Sequence, residues 1–317
     1  MKVFLPFIII IFVTGKLAAQ DSIKLRNNNA ITPFEKENKK KRVKFVITTN
    51  TLAYGGTLTA LYMTWYKNYP QSRFHFFNDN KEWLQVDKAG HAWSAYSEGR
   101  ASEKMWEWAG LSRRQSIWIG GLSGLAYQSI IEVLDGFSAE WGFSWGDYVG
   151  NITGCGLLIG QELGWKEQRI SFKFSTHRNY YANAELNERA DDIYGKSLPE
   201  RILKDYNAQT YWLSANIHSF LKDCDIPGWF NIAIGYGAEG MFGAVNNEWT
   251  DENGLFHDRS DIKRYRQFYI APDVDFTKIK TKSKFLKTAF FILNSFKFPT
   301  PSFELSNKRM KWNWLHF

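Results

Sequence analysis

Between Arg113 and Asp135 the chain carries a helical pattern turned inside out. Gly121, Gly124, Gln128, Glu132 and Asp135 recur at steps of three and four, which places them on one stripe of an α-helix. Trp118, Ile119, Leu122, Leu125, Ile130, Val133 and Leu134 cover the other faces. The small and polar side chains therefore face a partner, and the oily ones face outward. Residues 45–65 repeat the arrangement with Thr48, Thr51, Gly55, Thr59 and Tyr62, and residues 145–164 place Gly146, Gly150 and Gly154 four apart. Glycines at that spacing let backbones approach closely, as they do between helices in lipid. Helices buried in a soluble bundle would show the same stripe, so the pattern demands a tight bundle and leaves its surroundings open.

Three helix starts follow from local chemistry. Asp79 precedes Glu82, Ser112 precedes Gln115, and Ser144 precedes Asp147, each by three, and each is a side chain able to satisfy the free N–H groups of a first turn. With 45–65, this gives helices over 80–104, 113–135 and 145–164. From residue 169 the period changes: Ile170, Phe172 and Phe174 alternate with Arg169, Ser171, Lys173 and Ser175, as in a half-buried strand. Further strands are expected at 229–237, 264–275 and 302–317, helices at 198–205, 209–221 and 282–296, and a long loop at 246–261. The class is α+β: an N-terminal helical bundle of about four helices over 44–165, then a mixed, strand-containing module over 166–317. The terminal Trp314, Leu315, His316 and Phe317 suggest an outer-membrane barrel, yet the eight strands of ~10 residues that a barrel needs are not found.

The N-terminus has the layout of a cleavable signal peptide over residues 1–20. Lys2 precedes an apolar run from Val3 to Val13, and Ala18 and Ala19 lead into the polar Gln20 and Asp21. That run is shorter than the ~20 residues needed to cross a bilayer. No cysteine sits at the junction, so a lipid-anchored N-terminus is not supported. The net charge of +8 becomes +6 once Lys2 and Lys16 leave. Its densest source, Lys36 to Lys44 with Lys39, Lys40, Lys41 and Arg42, is expected in a basic flexible arm over 21–43. For an exported chain the counter-surface is anionic lipid rather than nucleic acid, or the arm is simply solvated. Outside the cytoplasm, that arm would lie opposite to the usual cytoplasmic excess of Lys and Arg, which cuts against simple inner-membrane insertion; a periplasmic or outer-membrane-associated place is expected, with the inner membrane as the alternative. The 14 Trp include clusters such as Trp106 with Trp108, Trp141 with Trp145, and Trp312 with Trp314, as at membrane interfaces and grooves or in a large aromatic core. Cys155 and Cys224 could pair in an oxidising compartment or remain thiols.

The residues with chemistry gather at one level of the bundle. Asp87 and His91 are four apart, with Lys88 beside them; Glu132 and Asp135 end one helix; Asp147 and Asn151, four apart, begin the next. The short loop from Gly136 to Phe143 holds the last two groups side by side. Several carboxylates in an apolar setting cannot all ionise cheaply, so Lys88 and His91 are the expected compensators. A catalytic reading gives Asp87, His91, Glu132 and Asp147 acid–base roles in hydrolysis or group transfer, with Lys88, Asp135 and Asn151 binding the ligand. A His with two or three carboxylates could instead hold a divalent metal. The plainer reading is a structural network, in which Asp147 caps a helix, Asp87 pairs with Lys88 and Asn151 bonds across helices. His177, His218 and His257 stand alone, and no phosphate-cradling loop, paired CxxC or nucleophile elbow is present. Neither a cofactor nor an oligomeric state can be read from these patterns.

The stretches FHFFNDNKEWLQVDKAGH at 74–91, IEVLDGFSAEWGFSWGD at 131–147 and NITGCGLLIGQE at 151–162 resemble the family of domain of unknown function 2279, predicted periplasmic proteins or lipoproteins. KDYNAQTYWLS at 204–214 looks like that family's longer members. The resemblance implies an envelope location and brings no established activity. More distantly, DKxxH at 87–91 with Glu132, Asp147, Asn151 and Gly154 is similar to VanZ-like membrane proteins, small helical proteins linked to glycopeptide resistance; here the helices are more polar and a signal peptide precedes them. The expected partner is a membrane lipid or envelope component. The leading expectation is an envelope protein whose helical module binds a lipid-linked or cell-wall-related ligand, with an envelope hydrolase or transferase and a structural outer-membrane-associated protein as alternatives.

Overall fold

A computed structural model describes residues 33–67 and 69–316; the expected signal peptide lies outside the described residues. The first helix, α1 (Pro33–Leu61), runs on through a π-turn at Tyr62–Tyr66. It takes in the basic run from Lys36 to Lys44, so the helix begins where a flexible arm was expected. Lysine and glutamate are good helix formers, and Glu37 meets Lys41 one turn on at 2.7 Å. Three helices follow: α2 (Val86–Ala109), α3 (Arg113–Gly136) and α4 (Trp145–Gly164). The last two start at their expected caps, with a full capping box between Ser112 and Gln115 and the Asp147 N–H donating to Ser144 Oγ at 3.1 Å.

α2 lies against both α3 and α4, and glycine makes this possible. A Cβ added at Gly154 would stand 2.0 Å from the Ala92 carbonyl oxygen, and one at Gly124 would stand 2.5 Å from that of Ala95. The contacts inside are polar, as when Gln128 donates to Glu98 Oε1 at 2.9 Å, while Trp118, Ile119, Leu122, Ile130 and Val133 are exposed. The inverted stripe is therefore real. α1 joins the bundle through Tyr54, stacked on Tyr127, whose hydroxyl donates to Thr57 Oγ1 at 2.9 Å. Two short strands, β1 (Phe76–Phe77) and β2 (Phe143–Ser144), pair in parallel and fix the segment before α2 to the start of α4.

The second half is an antiparallel sheet of six strands: β3 (Ile170–Thr176), β4 (Gln209–Asn216), β5 (Phe230–Glu239), β8 (Tyr265–Val274), β9 (Thr300–Ser306) and β10 (Arg309–His316), neighbours in that order. A small hairpin, β6 (Glu248–Thr250) with β7 (Phe256–Asp258), stands in the expected long loop. Four further helices accompany the strands: α5 (Ala184–Tyr194), α6 (Leu198–Lys204), α7 (Ile217–Phe220) and α8 (Lys284–Leu293). The class is α+β, as expected.

The sheet is inverted like the bundle. Asn231, Ala233, Gln267, Asp273, Ser302 and Glu304 are buried, whereas Ile232, Ile234, Phe268, Ile270, Phe303 and Leu305 between them are exposed. Polar residues are thus prominent on the inner face and apolar ones on the outer, the reverse of the alternation of an ordinary sheet with one face in water. Inside, Lys173 and Asp273 form a fully buried ion pair at 2.7 Å, and Ser214 donates to the same carboxylate at 2.6 Å. The largest apolar cluster joins the halves: Val86 and Trp93 of α2 pack with Phe174, Tyr194, Tyr206 and Tyr211.

Four expectations need correction. Residues 209–221 form β4 and the single turn α7, because Thr210, Trp212 and Ser214 alternate with Tyr211, Leu213 and Ala215 and pair along both edges. Residues 302–317 contain a hairpin rather than one strand, turned at Asn307 and Lys308, both with positive φ. α5, capped by Asn183, was not anticipated. The helix expected from residue 80 begins at Val86, for a reason that belongs to the site. Cys155 is a buried thiol donating to the Gly121 carbonyl at 3.1 Å, and Cys224 is also free, so no bridge joins them.

Candidate functional site

Asp79 does not cap a helix. After it the chain makes a short 3-10 turn, Glu82–Gln85, in which Trp83, Leu84 and Gln85 all take left-handed backbone angles, with φ of 47°, 50° and 65°. Such angles cost L-residues roughly 1–2 kcal/mol each, so other contacts must impose them. The Trp83 N–H donates to the Ala244 carbonyl at 2.8 Å, the Tyr236 hydroxyl of β5 donates to the Leu84 carbonyl, and Arg266 of β8 donates to the Gln85 side chain. This turn aims the Asp79 carboxylate inward and delivers α2 with Asp87, Lys88 and His91 in its first two turns.

Lys88 is the hub. Its Nζ lies 2.6 Å from Asp79 Oδ2, 2.8 Å from Asp87 Oδ2 and 2.9 Å from Asp147 Oδ1. Ser144 closes the ring, its hydroxyl donating to Asp79 Oδ1 at 2.6 Å. Behind it, His91 sits with Nδ1 3.2 Å from Asn151 Oδ1 and 3.6 Å from Glu132 Oε1, and with Nε2 3.7 Å from Asp147 Oδ2. Glu132 in turn accepts the Ser144 N–H at 3.2 Å. α4 approaches closely because residue 150 is glycine; a Cβ there would stand 2.8 Å from the Lys88 carbonyl oxygen. None of Asp79, Asp87, His91, Glu132, Asp147 and Asn151 is more than 8% exposed, so the centre is nearly sealed.

Burial and charge divide these groups. Burial raises Asp87 to about 7, with Asp147 adding to it, and raises Glu132 to about 9, with Asp147 and Asp135 adding to it. Burial likewise raises Asp79 and lowers His91. At Asp147 burial is outweighed by His91 and Lys88, which hold it down to about 2. At Lys88 burial is outweighed by Asp87 and Asp147, so its ammonium persists above its usual range. With the imidazole neutral at pH 7, Lys88 is the countercharge that keeps Asp147 ionised. The centre then holds a carboxylic acid on Glu132, a neutral imidazole on His91 and a carboxylate on Asp147, a separation of roles between neighbouring acids. His91, Glu132 and Asp147 also offer donor atoms within 4.8 Å of one another, and Asp79, Asp87 and Asp147 form a second such group. Lys88 already supplies the cation of the second. Glu132 Oε1 and Asp87 Oδ1 are buried without a hydrogen-bond donor.

Six of the seven residues singled out in the sequence meet here: Asp87, Lys88, His91, Glu132, Asp147 and Asn151. Asp135 stands apart, its carboxylate accepting from the Tyr66 hydroxyl at 2.6 Å, although its charge reaches Glu132 and His91. Asp79 and Ser144 were read as helix caps alone. Only long-range geometry brings Asp79 to Lys88, whereas Ser144 both caps α4 and bonds to Asp79.

Fold and site define an α+β protein with apolar outer faces on α3 and the sheet and a buried acid–imidazole–ammonium centre. Residues 75–159, the stretch that supplies every residue of that centre, match the family described as predicted periplasmic lipoprotein (DUF2279). The resemblance seen in the sequence is borne out over this segment, and the match ends before residues 204–214. The protein is accordingly an exported one, periplasmic or outer-membrane-associated. No curated protein and no solved structure matches the chain.

Proposed function

We propose that this is a membrane-associated envelope protein, exported by the signal peptide at residues 1–20, whose helical module binds a lipid-linked or cell-wall-related ligand at the Lys88 centre. The observation that carries the reading is the convergence of three carboxylates on one ammonium beside an imidazole, with Glu132 Oε1 and Asp87 Oδ1 left without donors. Replacing buried ion pairs by apolar groups of similar volume is commonly neutral or stabilising, so stability alone gives little reason for such a centre. A ligand that both donates and accepts hydrogen bonds would satisfy Asp87 Oδ1 and the protonated Glu132, and a cation would satisfy both groups in their ionised forms. Membrane association is supported by the outward apolar faces of α3 and of the sheet, and by the exposed Trp145 and Trp314. One helix among the described residues, Arg113–Gly136, is long and apolar enough to cross a membrane by length and composition.

A second reading has its own support. Glu132 protonated, Asp147 ionised and His91 between them is a constellation suited to acid–base hydrolysis or group transfer, with His91 as base and Glu132 as acid. The test is the series Asp87→Asn, His91→Ala and Glu132→Gln in cells that depend on the protein. Both readings expect the phenotype to vanish while the melting temperature is kept; three variants that merely unfold would mark the centre as structural. Metal analysis of the purified protein separates the versions, since a stoichiometric divalent ion lost in His91→Ala would place metal at His91, Glu132 and Asp147. Membrane fractionation tests the membrane claim, which fails if the protein stays in the soluble fraction, and carbonate extraction of the membranes then divides embedded from peripheral forms.

A further inference from the structure

Toward the opposite end of α2 from the Lys88 centre lies a cleft of about 640 Å³ whose walls are α2, the start of α3, the end of α4, the turn at Phe276–Lys278 and α8. Seven cationic side chains and two carboxylates line it. The carboxylates are already engaged, Glu162 with Arg113 and Glu167 with Lys278 at 3.0 Å. Among the described residues no acid pairs with Arg100, Lys166, Lys280 or Lys287. The decisive residue is Arg100. It is only 8% exposed, its Nε has no hydrogen-bond partner, and its guanidinium stands 5.3 Å over the Phe291 ring. Glu103, one turn along α2, feels that charge but does not reach it. Among the described residues the other buried cations all have a carboxylate: Lys173 at 2.7 Å, Arg201 at 3.0 Å and Lys297 at 3.9 Å. A buried guanidinium left without an acceptor is costly, and it is the geometry expected of a receptor for an anion.

The rest of the cleft specifies what kind of anion. Phe276, Phe290 and Phe291 form an aromatic wall beside the cations, with Phe276 stacked on Phe290 at 6.0 Å. α8 continues outward as a basic amphipathic helix, Phe285 and Leu286 exposed among Lys282, Lys284 and Lys287. We propose that this cleft binds the phosphoryl group of an anionic lipid, with Arg100 and Lys287 at the phosphate and the acyl chains running over Phe290 and the apolar residues of α8. The inference rests on the membrane part of the proposed function and is independent of what the Lys88 centre binds.

The test uses the purified full-length chain and flotation with vesicles of phosphatidylcholine alone or mixed with phosphatidylglycerol. Binding at least about tenfold tighter to the anionic vesicles is expected. Lys287→Gln should weaken it by about tenfold or more, beyond the roughly fivefold share of a lysine merely lying near an anionic surface. Lys282→Gln, which removes the same charge from outside the cleft, should change it less. Arg100→Gln should cost more than either, and because Lys287 is exposed its variant remains informative if Arg100→Gln misfolds. Equal losses for Lys282→Gln and Lys287→Gln would show diffuse attraction and overturn the site. Equal binding to both vesicles would overturn it while leaving membrane association standing; flotation with neither would remove both. Inorganic phosphate supplies the last arm. If it raises the melting temperature in an Arg100-dependent way while the vesicles are not distinguished, the ligand is a soluble phosphate and the lipid assignment is wrong.

Discussion

Replacing Lys88 by methionine keeps the length of the side chain and removes the one charge that three buried carboxylates share. Asp79, Asp87 and Asp147 lie 2.6, 2.8 and 2.9 Å from Nζ, with side chains about a tenth exposed. Breaking a buried pair by deleting one partner costs about 3–5 kcal/mol, because the survivor stays buried without compensation. The cost must also depend on pH. Without Lys88 only His91 remains to hold Asp147 down, burial and mutual repulsion lift it from its place near 2, and the three acids fold better protonated than ionised. A carboxylate raised in the folded state contributes its full stability below its unfolded pKa of 3.8 and loses it as pH rises through the folded value. The loss in Lys88→Met relative to the natural chain should therefore be about 3–5 kcal/mol at pH 8, or about 6–20 °C in Tm for a chain of this size, and at most half of that at pH 5. Thermal unfolding of both proteins in mild detergent at the two pH values measures it. Adding Asp147→Asn to Lys88→Met should restore part of the loss at pH 8. A difference below about 1 kcal/mol, or one that does not change with pH, would refute the account of Lys88 as the hub.

Three further outcomes follow from the same structure. Glu132 is raised from 4.5 to about 9, so its share of stability should fade as pH climbs between those values; Glu132→Gln should remove that slope, seen as a Tm difference from the natural chain that shifts in favour of the variant toward pH 9. Gly154→Ala would force a Cβ to 2.0 Å from the Ala92 carbonyl and should destabilise by at least ~2 kcal/mol, whereas Gly156→Ala, on the open side of α4, should stabilise by up to ~1 kcal/mol; equal effects in denaturant titrations would contradict the packing. Asp273→Asn leaves the fully buried Lys173 without its acid and should cost about 3–5 kcal/mol, and a melting temperature within about 2 °C of the natural one would show that the pair is dispensable.

What could be read from the chain alone was what local chemistry decides. α3 and α4 begin where Ser112 and Ser144 place their caps, and the four-residue spacings of Asp87 with His91 and Asp147 with Asn151 put each pair on one face. The short connection between α3 and α4 then makes Glu132 a neighbour of Asp147. Asp79 was misjudged because its spacing to Glu82 has the form of a cap, while its partners are Lys88 and Ser144, the latter 65 positions away. Asp135 belonged to the same stripe as Glu132, but the hydroxyl of Tyr66, on the turn that extends α1, takes its carboxylate. β4 reads as a helix from sequence because its burial on both faces hides the two-residue period: Thr210, Tyr211 and Trp212 are all buried in succession. Cross-chain geometry decides such cases, and no window of sequence contains it.

The left-handed run at Trp83–Gln85 binds the fate of the acidic centre to a part of the chain that contributes no atom to it. Its restraints come from Ala244, Tyr236 and Arg266, all in the strand half. A fragment ending at residue 165 would lose them, and the strained peptide would relax toward ordinary angles and swing Asp79 off Lys88. The four helices are thus an incomplete vessel for their own polar heart: the sheet is the clamp that holds its lid in place.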